Sequence, residues 1–308
     1  MDKKITAKKA VRTSVIVSFS DVAINILLAF ISGSVVMLSQ ALEGAADLLA
    51  AGFLLIGIKR SNIPSDKNHP FGYGRELYFW TFLSALATFT ITAGASFYFG
   101  LKRFLDPKPI ENISLAIIAL IIASITNGYS MSLSMRRLLG KNSLKNIWGV
   151  IVHSAFIETK TTLVIDMMGT IASILGLISL VFYSLTGNYR FDGLGAMTIG
   201  ITLAILALFI IEGARDLLVG QSASAKVEEK IIKVTENFPD VKKVLDLRTL
   251  RIGTNRLLVN IEVHLSNELS TDEIEQLIDK IENAIQNEVP TATNIQIELE
   301  TPDVDKSS

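Results

Sequence analysis

The stretch SQALEGAADLLAAG, Ser39 to Gly52, places Glu43 and Asp47 in the middle of an otherwise apolar segment. Acids four residues apart share one face of a helix. Further along, IETKTTLVIDMMG sets Glu158, Thr162 and Asp166 at the same step, again on one face. A charge at a bilayer centre costs on the order of 2.5–3.5 kcal/mol on insertion scales. Acids persist there when they face a bundle interior and meet a cation, a proton or a partner. Oxygens from two such faces suit a divalent cation. They also repel one another unless a cation or protons lie between them. The same site therefore accepts either, which is the basis of exchange. A structural reading competes with this one: the acids pair with Lys160 or backbone amides and do nothing more. For Asp21, a structural hydrogen bond explains the residue as well as a site does.

The elements that carry these acids follow from hydropathy. Of 308 residues, 49% are hydrophobic, and the mean hydropathy of +0.43 is too high for an ordinary soluble protein. Six apolar stretches reach the roughly 20 residues that span a bilayer, at 11–33, 36–60, 77–104, 113–138, 150–185 and 193–219. Backbone in lipid must satisfy its own hydrogen bonds, which predicts six helices. The basic N-terminus MDKKITAKKAVRTS is followed by a long apolar stretch without a clear small-residue cleavage site. It reads as a first span, not a removed signal peptide.

Lys and Arg in the short loops set the orientation. Lys3, Lys4, Lys8, Lys9 and Arg12 precede the first span; Lys59, Arg60, Lys67 and Arg75 lie in the second link; Arg136, Arg137, Lys141 and Lys145 lie in the fourth. The opposite side holds only Lys102, Arg103, Lys108 and Arg190. Both termini are therefore expected in the cytoplasm, consistent with an even number of spans.

The formal net charge of -1 makes the whole chain no obvious nucleic-acid binder. It hides an asymmetry: residues 222–308 carry 10 basic and 17 acidic residues, a net of -7. There are 0 cysteines, which excludes disulfides and thiolate metal sites. After Gly220 the pattern changes to helix, two alternating strands around GTN, an amphipathic helix capped by Ser270 or Thr271, and a last strand TNIQIELE. The expected fold class is thus six transmembrane helices followed by a small soluble αββαβ domain. The expected boundaries are 1–220, 221–303 and a loose tail at 304–308.

If the topology holds, the second and fifth spans run antiparallel. Glu43 then matches Asp166, and Asp47 matches Thr162 or Glu158. Glu158 and Asp166 are about 12 Å apart along a helix axis at 1.5 Å per residue, too far to touch one ion together. The expected ligands are Glu43, Asp47 and Asp166, with Thr162 or Glu158 as a fourth and Glu158 toward the inner mouth.

These residues resemble those of the cation diffusion facilitator family of divalent-metal/proton antiporters. GSVVMLSQALEGAADLLAAG is similar to the family's second span, with ligands at Glu43 and Asp47. PSDKNHPFGYGRELYFW is similar to its cytoplasmic link, DMMGTIASILG and FDGLGAMTIG to its fifth and sixth spans, and the αββαβ tail to its metallochaperone-like domain. The resemblance implies a homodimer that moves metal by alternating access, with no cofactor beyond the transported cation. Many members have a His where this chain has Thr162, and a His or Asp where it has Glu43. An all-oxygen site moves weight from zinc toward Mn²⁺ or Fe²⁺. The resemblance also implies secondary metal positions. Asp66 and His69 match in the link, where the third match is Tyr73, and a helix-linking turn is the stronger reading. In the tail Leu245 and Asn260 replace two ligands, leaving Glu298 and Glu300 with His264 nearby. His153, near a span end, reads as interfacial.

Other classes fit less well. An intramembrane aspartyl protease would carry Gly-x-Gly-Asp motifs, which Asp47 and Asp166 lack. An organic-cation carrier would need aromatics near the acids. No Walker-type loop appears, so nucleotide use is not expected. The expected function is proton-coupled efflux of Mn, Fe or Zn across the plasma membrane, not an enzyme activity; the alternative is a non-transporting membrane metal sensor or scaffold.

Overall fold

The structure is a computed structural model that describes residue 19, residues 22–139 and residues 157–301, with side chains left out at 137–139 and 157–160. Asp21, Lys141, Lys145, His153, the N-terminal basic residues and the 304–308 tail lie outside the described residues. Glu158, Lys160 and Arg137 are placed by backbone alone. The chain divides into two compact units, Met1–Ile58 with Tyr78–Ala214, and Lys59–Leu77 with Arg215–Ser308. The link between the second and third spans thus groups with the tail.

The first unit is built from an apolar helix α1, Val22–Ser32, and most of α2 (Val35–Ser61), α3 (Glu76–Leu105), α4 (Ile113–Leu139), α5 (Ile157–Thr186) and α6 (Arg190–Val219). Helices α2 to α6 are each long and apolar enough to cross a membrane. Their bounds lie close to the expected spans, because hydropathy and the need for internal backbone bonds act on the same residues. Thr88–Ala93 in α3 is a π-helical stretch. Helix α3 lies against α6 at backbone distance: a Cβ on Gly200 would meet Phe97 N at 2.7 Å, and one on Gly100 would meet Met197 N at 2.7 Å. Lipid gives no hydrophobic drive between helices, so small residues that admit this approach hold the pair together.

The start of α2 is held by a residue far away in sequence. Asp192, at the head of α6, is 0% exposed. Its Oδ1 accepts from Ser34 Oγ at 2.6 Å and Val36 N at 3.1 Å, and its Oδ2 accepts from Val35 N at 3.0 Å. Arg103 Nε of α3 lies 3.4 Å from Oδ2, and Arg103 Nη2 donates to Gly33 O. One carboxylate therefore caps α2, answers a cation from α3 and begins α6. The first N–H groups of a helix have no internal partner, and their partial positive charge favours an anion.

The second unit contains α7 (Ala225–Glu236), β1 (Val241–Gly253), β2 (Arg256–Leu265), α8 (Thr271–Glu288) and β3 (Ala292–Leu299). The sheet order is β1-β2-β3, with β1/β2 antiparallel and β2/β3 parallel. Strand β2 alternates cleanly, burying Leu257, Val259, Ile261, Val263 and Leu265 against Ile231 of α7 and Ile281 and Ile285 of α8. The β1–β2 turn passes through Asn255 at φ 55°. Of the two candidate caps for α8, Ser270 serves: its hydroxyl accepts from Glu273 N, and Glu273 Oε2 accepts from Ser270 N at 2.8 Å. The link joins this unit by backbone contact, Gly74 lying against Ile252 O and Gly253.

Asp192→Ala should destabilise the full chain in detergent by about 3–5 kcal/mol, the cost of leaving a buried partner uncompensated. Adding Arg103→Ala to that variant should cost much less than Arg103→Ala alone. A double-mutant cycle on the unfolding midpoint checks the coupling.

Candidate metal site

The register of α2 against α5 is read from three contacts. A Cβ on Gly176 would meet Val36 Cγ1 at 2.8 Å, and one on Gly169 would meet Glu43 Oε1 at 2.9 Å. Asp47 shares a small cavity with Thr161, Ile165 and Met168. Seven residues forward along α2 match seven backward along α5, so the helices run antiparallel. Asp47 falls opposite Ile165, and Asp166 falls in height between Glu43 and Asp47. The three acids lie within about 6 Å of height, at 1.5 Å per residue. The register is shifted by three residues from a pairing of Glu43 with Asp166. Hydropathy places a span in depth but does not fix its offset to that accuracy.

Rotation about the helix axes separates the acids. Glu43, 6% exposed, sits at Gly169. Asp47 faces the cavity lined by Ser84 and Thr88 of α3, Thr161 and Ile165 of α5, and Ala207 of α6. That cavity has about 10 Å³ of room, about what one water needs. Asp166, about 100° around α5 from Ile165, meets α4, where its Oδ2 accepts from Ser134 Oγ. Among the described residues, no three of His, Cys, Asp and Glu converge closely enough to hold a metal ion. Thr162 is half-buried on the same α5 face as Asp166, and Glu158 lies further toward the start of α5.

Two residues of α4 belong to this region and were not singled out in the sequence. A Cβ on Gly169 would meet Asn127 Nδ2 at 3.0 Å, as well as Glu43. One on Gly176 would meet Leu120 Cδ2 at 3.3 Å, as well as Val36. Helices α2 and α4 thus flank α5 at two levels seven residues apart. Asn127 and Ser134 lie a further seven residues apart along α4. The available signal is the polar run TNGYSMSLS inside an apolar span; polar side chains in lipid hydrogen-bond across helices.

The link brings Asp66 and His69 together. Asp66 Oδ1 accepts from Asn68 N at 2.9 Å and His69 N at 2.7 Å, and Oδ2 accepts from Tyr73 OH at 2.8 Å. His69 Nδ1 is 3.4 Å from Asp66 Oδ1, and its ring lies 4.1 Å from that of Tyr73. Tyr73, at the third ligand position, is a partner of Asp66. Its phenol, and next the His69 N–H, hold the Asp66 carboxyl below its ordinary value, and Asp66 in turn raises the phenol. In the tail, Glu262 pairs with Glu298 across β2 and β3. His264 Nδ1 lies 3.2 Å from the backbone oxygen of Glu300. The carboxylates of Glu298 and Glu300 are on exposed residues.

Comparison with known proteins gives two family matches: the cation efflux transmembrane domain over residues 11–219 and the cation efflux protein cytoplasmic domain over residues 223–300. A protein of Xenopus laevis named proton-coupled zinc antiporter SLC30A9, mitochondrial, is 26% identical over 88% of this chain and 49% of its own length. Its human counterpart is 25% identical over 78% of this chain and 43% of its own. The chain therefore spans about half the length of these relatives. The cation-efflux pump FieF of Shewanella oneidensis is 26% identical over 88% of this chain and 86% of its own. Among solved structures, a nickel form of the MamM CTD matches 25% of this chain and 98% of that chain, at 17% identity and a TM-score of 0.24.

Two outcomes follow from this geometry. Gly169→Ala puts a methyl against the ends of two flexible side chains, so the fold should survive with a melting temperature within about 4 °C. Divalent-metal binding measured by calorimetry should weaken about tenfold, about 1.4 kcal/mol. Tyr73→Phe should raise the Asp66 carboxyl toward its ordinary 3.8. The depressed value contributes stability present above the ordinary pKa and lost as pH falls through the folded one. That contribution should shrink in Tyr73→Phe, and a carboxylate NMR titration reads the shift directly.

Proposed function

The chain belongs to the cation diffusion facilitator family, and from that premise we propose that it exports a divalent transition metal, Mn, Fe or Zn, in exchange for protons. The carrying observation is the α2–α5 register, which sets Glu43, Asp47 and Asp166 at one depth of the helix bundle. Glu43, Asp47 and Asp166 are the metal-binding residues, with Thr162 and Glu158 as further contributors. Asp66, His69, Glu298 and Glu300 are secondary positions. Because Asp47 lines a cavity against Ile165 while Asp166 is hydrogen-bonded to Ser134 of α4, a cation shared between them requires one of the two side chains to turn. That is the kind of change alternating access demands.

The donor set is all oxygen, which favours Mn²⁺ and Fe²⁺. Relatives named as zinc antiporters keep Zn²⁺ in the set. The protein is a multi-pass membrane protein. We place it in the plasma membrane with both termini in the cytoplasm, on the distribution of Lys and Arg. Residues 1–220 form the membrane domain and 221–303 the cytoplasmic domain through which two copies pair as a homodimer; the family matches at 11–219 and 223–300 support that division. Transport, not an enzymatic reaction, is the activity.

Metal uptake into proteoliposomes under an imposed pH gradient tests the reading. Flux of Mn²⁺, Fe²⁺ or Zn²⁺ should follow the proton gradient and fall at least about a hundredfold in Asp47→Ala, the scale of losing a charged ligand. Binding without flux for every metal would remove the transporter and leave a membrane metal sensor.

A further inference from the structure

Helix α4 adds a third side to the region between α2 and α5. At Gly169 the side chains of Glu43 of α2 and Asn127 of α4 both reach the space a Cβ would fill. Ser134, 4% exposed, lies two turns further along α4 and donates its hydroxyl to Asp166 Oδ2. The cavity beside Asp47 is lined on α5 by Thr161, Ile165 and Met168, a face that does not include Asp166. Asp166 is therefore at the right depth to share a cation with Asp47, but is rotated onto α4.

We propose that Ser134 is a counter-ligand: its hydroxyl competes with the transported cation for the Asp166 carboxylate and so sets the affinity and release of the metal. This rests on the transport reading above. A cation shared with Asp47 draws the carboxylate toward α2 and breaks the bond to Ser134. When the metal leaves, Ser134 recaptures the carboxylate and the bond re-forms. A hydrogen bond to a charged group is one of the stronger kinds a protein makes, so its loss on metal binding is a real opposing term. Ser134 needs no contact with the metal for this. It is a positioning residue that acts through Asp166, and a hydroxyl in place of a second acid keeps the opposing term small enough for a cation to win.

The sign of the effect separates this role from ordinary support. If Ser134 merely held Asp166 ready for metal, removing it would weaken binding. As a counter-ligand, its removal tightens binding and slows release. Calorimetry with Mn²⁺ and with Zn²⁺ on the full chain in detergent should give a Kd about tenfold lower for Ser134→Ala than for wild type, about 1.4 kcal/mol. In proteoliposomes the same variant should show a lower KM and a lower maximal rate. Ser134→Thr keeps the hydroxyl and should return both to wild-type values. A Kd that is unchanged or raised in Ser134→Ala, or that Ser134→Thr does not bring back, overturns the proposal. Absence of flux in the wild type would instead defeat the transport reading, while the Kd comparison would still decide the role of Ser134.

Discussion

A carboxylate that leaves water must be answered by something, and most of this membrane unit follows from where its answers lie. Asp192 is answered by the opening N–H groups of α2, by Ser34 and by Arg103. That arrangement fixes one end of α2 to both α3 and α6. It is stable because each partner supplies what the others lack. The helix end needs an acceptor, the arginine needs an anion, and the aspartate needs donors that water no longer provides. With its start fixed, α2 can carry Glu43 and Asp47 into the bundle at a defined depth. The glycines of α5 then allow α2 and α4 to approach closely enough for side chains from three helices to meet.

Much of this was legible in the sequence. The spans are visible because a bilayer imposes one length and one composition on every crossing helix. The tail is visible because β2 alternates with period two and α8 carries a capping box, Ser270 with Glu273. The acids on α2 and α5 stand out because charge in an apolar run is rare. What the sequence did not carry is rotation and offset. Nothing local says that Asp166 turns toward α4 while Ile165, one residue away, faces Asp47. That choice is made by side chains on three other helices. The three-residue shift between α2 and α5 has the same origin, since it is set by where Gly169 and Gly176 admit Glu43 and Val36.

The link shows a second limit. Residues 59–77 connect two spans, so hydropathy assigns them to the membrane half of the chain. By packing they belong with the tail: Gly74 meets Gly253 backbone to backbone, and Arg256 Nη1 lies where a side chain on Gly72 would begin. A boundary drawn in sequence separates what the fold joins. Within the link, Tyr73 alters the chemistry more than its position suggests. Its phenol donates to Asp66 Oδ2, so this backbone turn serves hydrogen bonding first.

On the proposed transport reading, carboxylate ligands also explain why metal and proton compete at one place. A carboxylate oxygen that holds a divalent ion cannot at the same time carry a proton, because both use the same lone pairs. Three uncompensated acids at similar depth are costly in a low-dielectric medium, and the proposed exchange gives them two arrangements. Either protons and hydroxyl donors such as Ser134 divide the carboxylates among separate partners, or one cation gathers them. The rotated Asp166 is an instance of the first arrangement. The proposed exchange needs nothing more than that the two arrangements lie close in free energy, so that a proton gradient can decide between them. A serine is suited to that balance. Its hydroxyl donates one hydrogen bond to Asp166, weaker than a hydrogen bond from a charged donor would be.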